Sequence, residues 1–273
     1  MNVARSLRTA RRCVTMGSLL LAAAVDCWIR RPEVGAEGAI WIHGWCTRIV
    51  RALGIICNVE GSLPESGAVV CNHLSYLDIL LFSSVRPFVM VAKTEVRGWP
   101  LFGWLTARAG TVYVQRGGGP ATYPAVNAAM AEAYASGLPV LFFPEGTTTD
   151  GAFPERGVMP FRRGLFHSVL NGDVSLRVAG LRYSLAEENA GASVEDDICW
   201  WGDAEFVPHL VGFLGLCGVK AQIRFGDEIR ERADRFVLSE TAREAVQEIY
   251  AELGGVAEVR AFAGYEAELV EAL

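Results

Sequence analysis

The octapeptide Cys71-Asn72-His73-Leu74-Ser75-Tyr76-Leu77-Asp78 pairs an imidazole with a carboxylate between two apolar runs, Ala68-Val69-Val70 and Ile79-Leu80-Leu81-Phe82. A histidine between a buried strand and a buried helix stands at the strand's carboxyl end, where open α/β sheets gather their ligands. His73 is thus a candidate general base, and Asp78 could orient its ring and fix its tautomer. Five residues turn a helix by about 500°, so the two side chains would face apart if both were helical. The pair works if His73 lies in the turn and Asp78 reaches back from the first helical turn. A plainer reading competes: Ser75-x-x-Asp78 is also a capping-box pattern, in which Asp78 only closes a helix. Ser75 is a conceivable nucleophile, but its place in that pattern argues against the role, and no G-x-S-x-G elbow is present.

A second group, Phe143-Pro144-Glu145-Gly146-Thr147, ends the apolar stretch Leu138 to Phe143. Proline stops a ladder, and glycine lets the backbone turn tightly or approach a ligand. Amides in such a turn could face an oxyanion or a phosphate. Glu145 could bond an acceptor hydroxyl or fix Arg116; the alternative is a surface glutamate in a turn. Arg116 ends another apolar stretch, ahead of Gly117-Gly118-Gly119-Pro120. A guanidinium there suits bidentate phosphate binding, against the alternative of a solvated arginine. Lys93 is one of two lysines among 25 basic residues and hints at a point-charge phosphate contact. His167 and His209 read as structural.

Asn72-His73-x-x-x-x-Asp78 resembles the first signature of the glycerolipid acyltransferase family. Gly110-Thr111-Val112-Tyr113-Val114-Gln115-Arg116 resembles its second block and Phe143 to Thr147 its third, in the family's order. The likeness covers roughly residues 65 to 185. It implies transfer of a fatty acyl group from acyl-CoA or acyl carrier protein to the free hydroxyl of a lysolipid. The default acceptor is lysophosphatidic acid, giving phosphatidic acid; lyso-ornithine lipid is the nearest rival, and a non-catalytic lipid-binding relative is a rival of another class. His73 and Asp78 then form the catalytic pair, while Arg116, Glu145, Gly146, Thr147 and Lys93 serve the acceptor and its phosphate. No cofactor and no metal are implied. Three departures stand out. Thr148 occupies the position where family members often carry arginine, Tyr113 or Val114 replaces the second block's usual phenylalanine, and Val174 to Leu181 lacks the fourth block's proline. Phe161-Arg162-Arg163-Gly164 resembles the family's basic run downstream of the third block.

Net charge hides an asymmetry. Residues 1–52 carry eight arginines against Asp26, Glu33 and Glu37, about +5, so an overall charge of −6 leaves about −11 on the remainder. A basic, apolar end on an acidic body suits anionic lipid headgroups rather than nucleic acid. Seven cysteines show no CxxC and no metal spacing, which reads as reduced thiols facing the cytosol. Cys13 to Ile29 is almost wholly apolar apart from Asp26, with arginine pairs at both ends. That reads best as a helix embedded in the bilayer; a full crossing and a cleaved signal peptide of a secreted esterase are the alternatives. The resemblance places the chain at the cytoplasmic face of an inner membrane.

From Ala39 to Leu53 the pattern is an amphipathic helix, with Trp41, Trp45, Ile49 and Ala52 on one face and His43, Thr47 and Arg51 on another. Tryptophan beside arginine suits a headgroup interface. The chain divides into N-terminal membrane-embedding helices, 1–53, and an acyltransferase unit, 54–273. In the latter, strands are predicted at 55–60, 66–71, 88–93, 110–115, 138–143, 174–183 and 220–226. Helices are predicted at 76–85, 99–108, 122–136, 161–170, 204–215, 240–253 and 257–273. Such alternation implies an α/β fold with a mostly parallel central sheet covered by helices.

Overall fold

The structure, a computed structural model, describes residues 3–115, 122–152 and 157–271. Two helices lead, α1 (Val3–Arg30) and α2 (Ala36–Leu53). There follow β1 (Ile56–Glu60), β2 (Ala68–Cys71), α3 (Leu77–Val85), β3 (Val89–Lys93), a 3-10 turn (Thr94–Gly98), α4 (Phe102–Arg108) and β4 (Val112–Val114). Then come α5 (Tyr123–Ala135), β5 (Val140–Phe142), α6 (Gly164–Asn171), β6 (Leu176–Ser184), α7 (Val194–Asp197), α8 (Phe206–Leu214), β7 (Lys220–Glu228) and α9 (Arg235–Glu271).

The strands form one sheet in the order β1-β7-β6-β2-β5-β3-β4. Every neighbouring pair is parallel except β6 with β7. This is the mostly parallel α/β architecture expected. Its central strands are uniformly apolar and buried along their length, Ala68-Val69-Val70-Cys71 and Val140-Leu141-Phe142, because helices cover both faces. Against them pack Leu77, Leu81 and Phe82 of α3, Phe166 of α6 and Leu238, Ala242 and Val246 of α9.

Two elements differ from expectation. The helix expected at 99–108 is shortened to α4, with a separate 3-10 turn before it and Pro100 between. The two C-terminal helices expected at 240–253 and 257–273 are one helix, α9. It begins early because Asp234 Oδ1 accepts the amides of Phe236 at 2.6 Å and Val237 at 2.9 Å, capping it. It runs through Gly254-Gly255, a pair that reads as a stop. A Cβ at Gly254 would come within 2.5 Å of the Arg182 guanidinium, so glycine serves close packing there rather than termination.

The N-terminal helices pack on this body. Arg12, buried, donates to the carbonyls of Leu216 at 2.5 Å and Leu214 at 3.4 Å, at the carboxyl end of α8. Arg8 donates to the Gly215 carbonyl, and Arg5 pairs with Asp197. Three of the arginines expected to meet lipid headgroups therefore fasten α1 to the protein, where cations complement a helix's carboxyl end. The opposite side of α1 exposes Val3, Leu7, Val14, Leu21, Val25 and Trp28, a stripe at helical spacing. By length and composition α1 could cross a membrane. Asp26, costly in an apolar helix, is satisfied: its Oδ2 accepts both indole N–H groups, Trp41 at 2.8 Å and Trp45 at 3.1 Å, and its Oδ1 accepts from Arg30. Trp41 and Trp45 are thus half-buried and buried joints between the helices. The polar face of α2 meets α3: His43 Nδ1 donates to Ser83 O and Thr47 to Ser84 O. Ile49, Val50 and Leu53 join the core of the sheet, so packing is continuous across the chain boundary expected at 53/54.

Candidate active site

The sheet topology gathers the chemistry predicted from sequence. β2, β5, β3 and β4 are consecutive parallel neighbours, and at their carboxyl ends come His73, Glu145, Lys93 and the segment leading to Arg116. Lys93 ends β3 in register with Val114 of β4. Arg116 itself, with Gly117 to Pro120, lies outside the described residues.

His73 follows β2 in a turn, and Asp78 lies in the first turn of α3, as the spacing required. Asp78 Oδ2 accepts from His73 Nδ1 at 2.8 Å and from the amides of Leu74 at 2.7 Å and Ser75 at 3.0 Å. One carboxylate thus ties the residues leading into the helix to the ring; of the capping box only the Ser75 amide–Asp78 half forms, because Ser75 Oγ has no partner. Because Nδ1–H donates to the carboxylate, Nε2 is the ring nitrogen left to accept, and it has no hydrogen-bond partner among the described residues. The ring stacks on Phe143 at 4.0 Å between centroids and 11° between planes. Asp78 is fully buried, while the His73 side chain keeps 16% exposure, enough for a ligand to reach it. Ser75 Oγ is buried with no partner, so it has neither the base nor the access a nucleophile needs.

Glu145 does something other than expected. It is buried, and both oxygens are taken by backbone amides: Oε1 by His73 at 2.7 Å and Oε2 by Met159 at 2.9 Å. Neither oxygen is directed to an acceptor. Burial pushes its carboxyl up to about 8, against the two amide donors that favour the ion. The Thr149 amide donates to the His73 carbonyl at 3.0 Å, so residues 143–149 grip the ring and both backbone groups of His73.

Gly146 sits at φ +71°, and a Cβ there would come within 2.5 Å of Arg162 Nε. Its amide closes the turn on Phe143 O. The amides of Thr147 and Thr148, next in line, have no acceptor among the described residues. Arg162, exposed, crosses Gly146 and donates to Glu145 O.

Sequence reasoning missed two anchors. Asn72 pairs with the backbone of Leu181 through both amide groups, at 2.9 and 2.8 Å, extending the β2–β6 ladder through a side chain. Tyr183, near the end of β6, donates to Asp78 Oδ1 at 2.6 Å. Asn72 had only its place in the first block and Tyr183 no local signal, since each partner lies more than a hundred residues away in sequence. His209 is structural, as expected: Nε2 donates to Cys199 O and Nδ1 accepts from Tyr76 OH.

Residues 55–178 match the family model described as Acyltransferase. A lyso-ornithine lipid O-acyltransferase of Pseudomonas aeruginosa is 31% identical over 74% of this chain and 75% of its own length. The chain belongs to the acyltransferase family. Among other relatives of this acyltransferase, a lyso-ornithine lipid O-acyltransferase of Brucella abortus is 31% identical over 75% of this chain and 79% of its own. A 1-acyl-sn-glycerol-3-phosphate acyltransferase of Neisseria meningitidis is 29% identical over 77% and 80%. The crystal structure of a 1-acyl-sn-glycerophosphate acyltransferase of Thermotoga maritima shares the acyltransferase's fold with a TM-score of 0.63. It is 16% identical and covers 93% of this chain and 96% of its own.

Proposed function

We propose that this acyltransferase moves a fatty acyl group from the thioester of acyl-CoA or acyl carrier protein to the free hydroxyl of lysophosphatidic acid. The observation that carries the reading is the His73 ring, its Nδ1 held by buried Asp78 and its Nε2 left to accept a proton. Nε2 takes the acceptor's hydroxyl proton as its oxygen attacks the thioester carbonyl. Asp78 steadies the imidazolium. The tetrahedral intermediate collapses, the C–S bond breaks, and the imidazolium returns the proton to the departing thiolate. The amides of Thr147 and Thr148 are suited to the oxyanion. Lys93, Arg116 and Arg162 are the cations for the acceptor's phosphate. No metal or cofactor enters the scheme.

The outward stripe of α1 supports seating at a bilayer, on the cytoplasmic face of an inner membrane, where a lysolipid already resides. A second acceptor, lyso-ornithine lipid, is favoured by Thr148 in place of an arginine, which removes one phosphate-binding cation, and by the relatives named for that substrate.

The test is acyl transfer by the purified protein in lipid vesicles, with both lysolipids offered together and His73→Ala in parallel. Phosphatidic acid formed only by the native protein supports the first reading. Ornithine lipid instead keeps the mechanism and changes the acceptor. No product from either favours a lipid-binding role.

A further inference from the structure

Asp78 carries more hydrogen bonds than alignment of a histidine requires, and they are unevenly shared. Oδ2 accepts three, from His73, Leu74 and Ser75. Oδ1 faces a single donor among the described residues, the Tyr183 hydroxyl at 2.6 Å. With Asp78 wholly buried, no solvent reaches Oδ1 in its place. Tyr183 comes from β6, two positions beyond the residue that Asn72 grips, and is itself buried. The phenol is thus delivered to the carboxylate by the same strand that anchors the catalytic turn.

We propose that Tyr183 is a positioning residue of the site, its hydroxyl holding Asp78 Oδ1 so that Oδ2 stays turned toward His73 Nδ1. Two physical effects follow. The carboxylate is pinned at both oxygens and cannot rotate away from the ring. Its charge is also shared with a short, charge-assisted hydrogen bond, which leaves the proton of the pair on Nδ1. Burial and the Asp78 charge hold the Tyr183 hydroxyl proton far above the usual phenol range, so it remains a donor. The other titratable groups that feel Asp78 are Glu145, Cys71 and Cys199; burial raises each, which keeps both thiols protonated while Glu145 titrates near 8. A pH comparison therefore belongs on the acidic side of neutrality.

The experiment compares the native protein with Tyr183→Phe, which keeps the ring and removes only the hydroxyl. Turnover of the accepted lysolipid in vesicles should fall about tenfold in kcat with KM within about twofold, the loss of one hydrogen bond to a charged group. The acidic limb of the pH profile should move to higher pH, because an Asp78 charge no longer shared with Tyr183 holds the imidazolium more firmly. In NMR, the His73 Cε1–H signal, assigned by its absence from His73→Ala, should titrate at correspondingly higher pH. Added to Asp78→Asn, the change should cost nothing further, since Tyr183 acts through Asp78. Native kcat with an unmoved His73 titration overturns the proposal. So does a full additive loss in the Asp78→Asn background, which would mean that Tyr183 acts by packing. The inference rests on the acyl-transfer reading for its kinetics only. The NMR titration needs no substrate, so the two ideas can fail separately.

Discussion

Glu145 holds His73 by its backbone: Oε1 accepts the His73 amide at 2.7 Å, while the other oxygen takes the Met159 amide at 2.9 Å. A residue whose motif suggests contact with substrate is spent on joining two loops. The same carboxyl is pushed up to about 8 by burial, which ties the geometry to pH. Since the folded protein then binds this proton more tightly than the unfolded chain, its contribution is full below about 4.5 and is lost as pH rises through about 8. Denaturant midpoints at about pH 6 and about pH 9 should show that decline in the native protein and a smaller one in Glu145→Gln. Equal declines would assign the effect to another group. The variant, unable to accept both amides, should also lose about tenfold in kcat.

His73→Ala and Asp78→Asn should each lower kcat by about 10²- to 10⁴-fold in vesicle assays, the range for a positioned general base. Asp78→Asn presents an amide where three donors converge, so it tests the carboxylate and not merely the cap. A native rate in Asp78→Asn would leave Asp78 with a structural role only.

Ser75→Ala should leave kcat within about threefold and stability unchanged or raised by about 1 kcal/mol, because it deletes a buried hydroxyl that has no partner. Abolished turnover in a folded Ser75→Ala protein would restore the nucleophile reading.

Arg12→Ala should lower the melting temperature by several degrees, because it leaves the Leu214 and Leu216 carbonyls without their buried donor. Arg11→Ala, at an exposed position one residue away, should change it little. Equal shifts would mean that α1 is not fastened through Arg12.

Glutamate at Leu21, on the outward stripe of α1, should weaken sedimentation with vesicles while leaving thermal stability near native. Vesicle binding at the native level would move the membrane contact elsewhere on the molecule.

The His73–Asp78 pair and the parallel sheet were legible from sequence for one reason: both depend on short-range order. An unbroken apolar run marks a strand covered on both faces, and a histidine and an aspartate either side of a helix start need only one turn to meet. The alternation of strands and helices then places the ends of β2, β3, β4 and β5 along one edge. Tertiary structure decided what those residues face. Glu145 is turned to the His73 amide rather than to a ligand because β5 lies beside β2 in the sheet, an adjacency that no local pattern encodes. Arg5, Arg8 and Arg12 read as a membrane-facing cluster, yet the Asp197 carboxylate at the end of α7 and the Gly215 and Leu216 carbonyls at the end of α8, some two hundred residues on, claim them. Tyr183 was invisible for the same reason. A buried tyrosine in a strand carries no sign of its partner until the fold brings Asp78 within hydrogen-bonding distance, and there the lack of water around Asp78 makes that one hydroxyl matter.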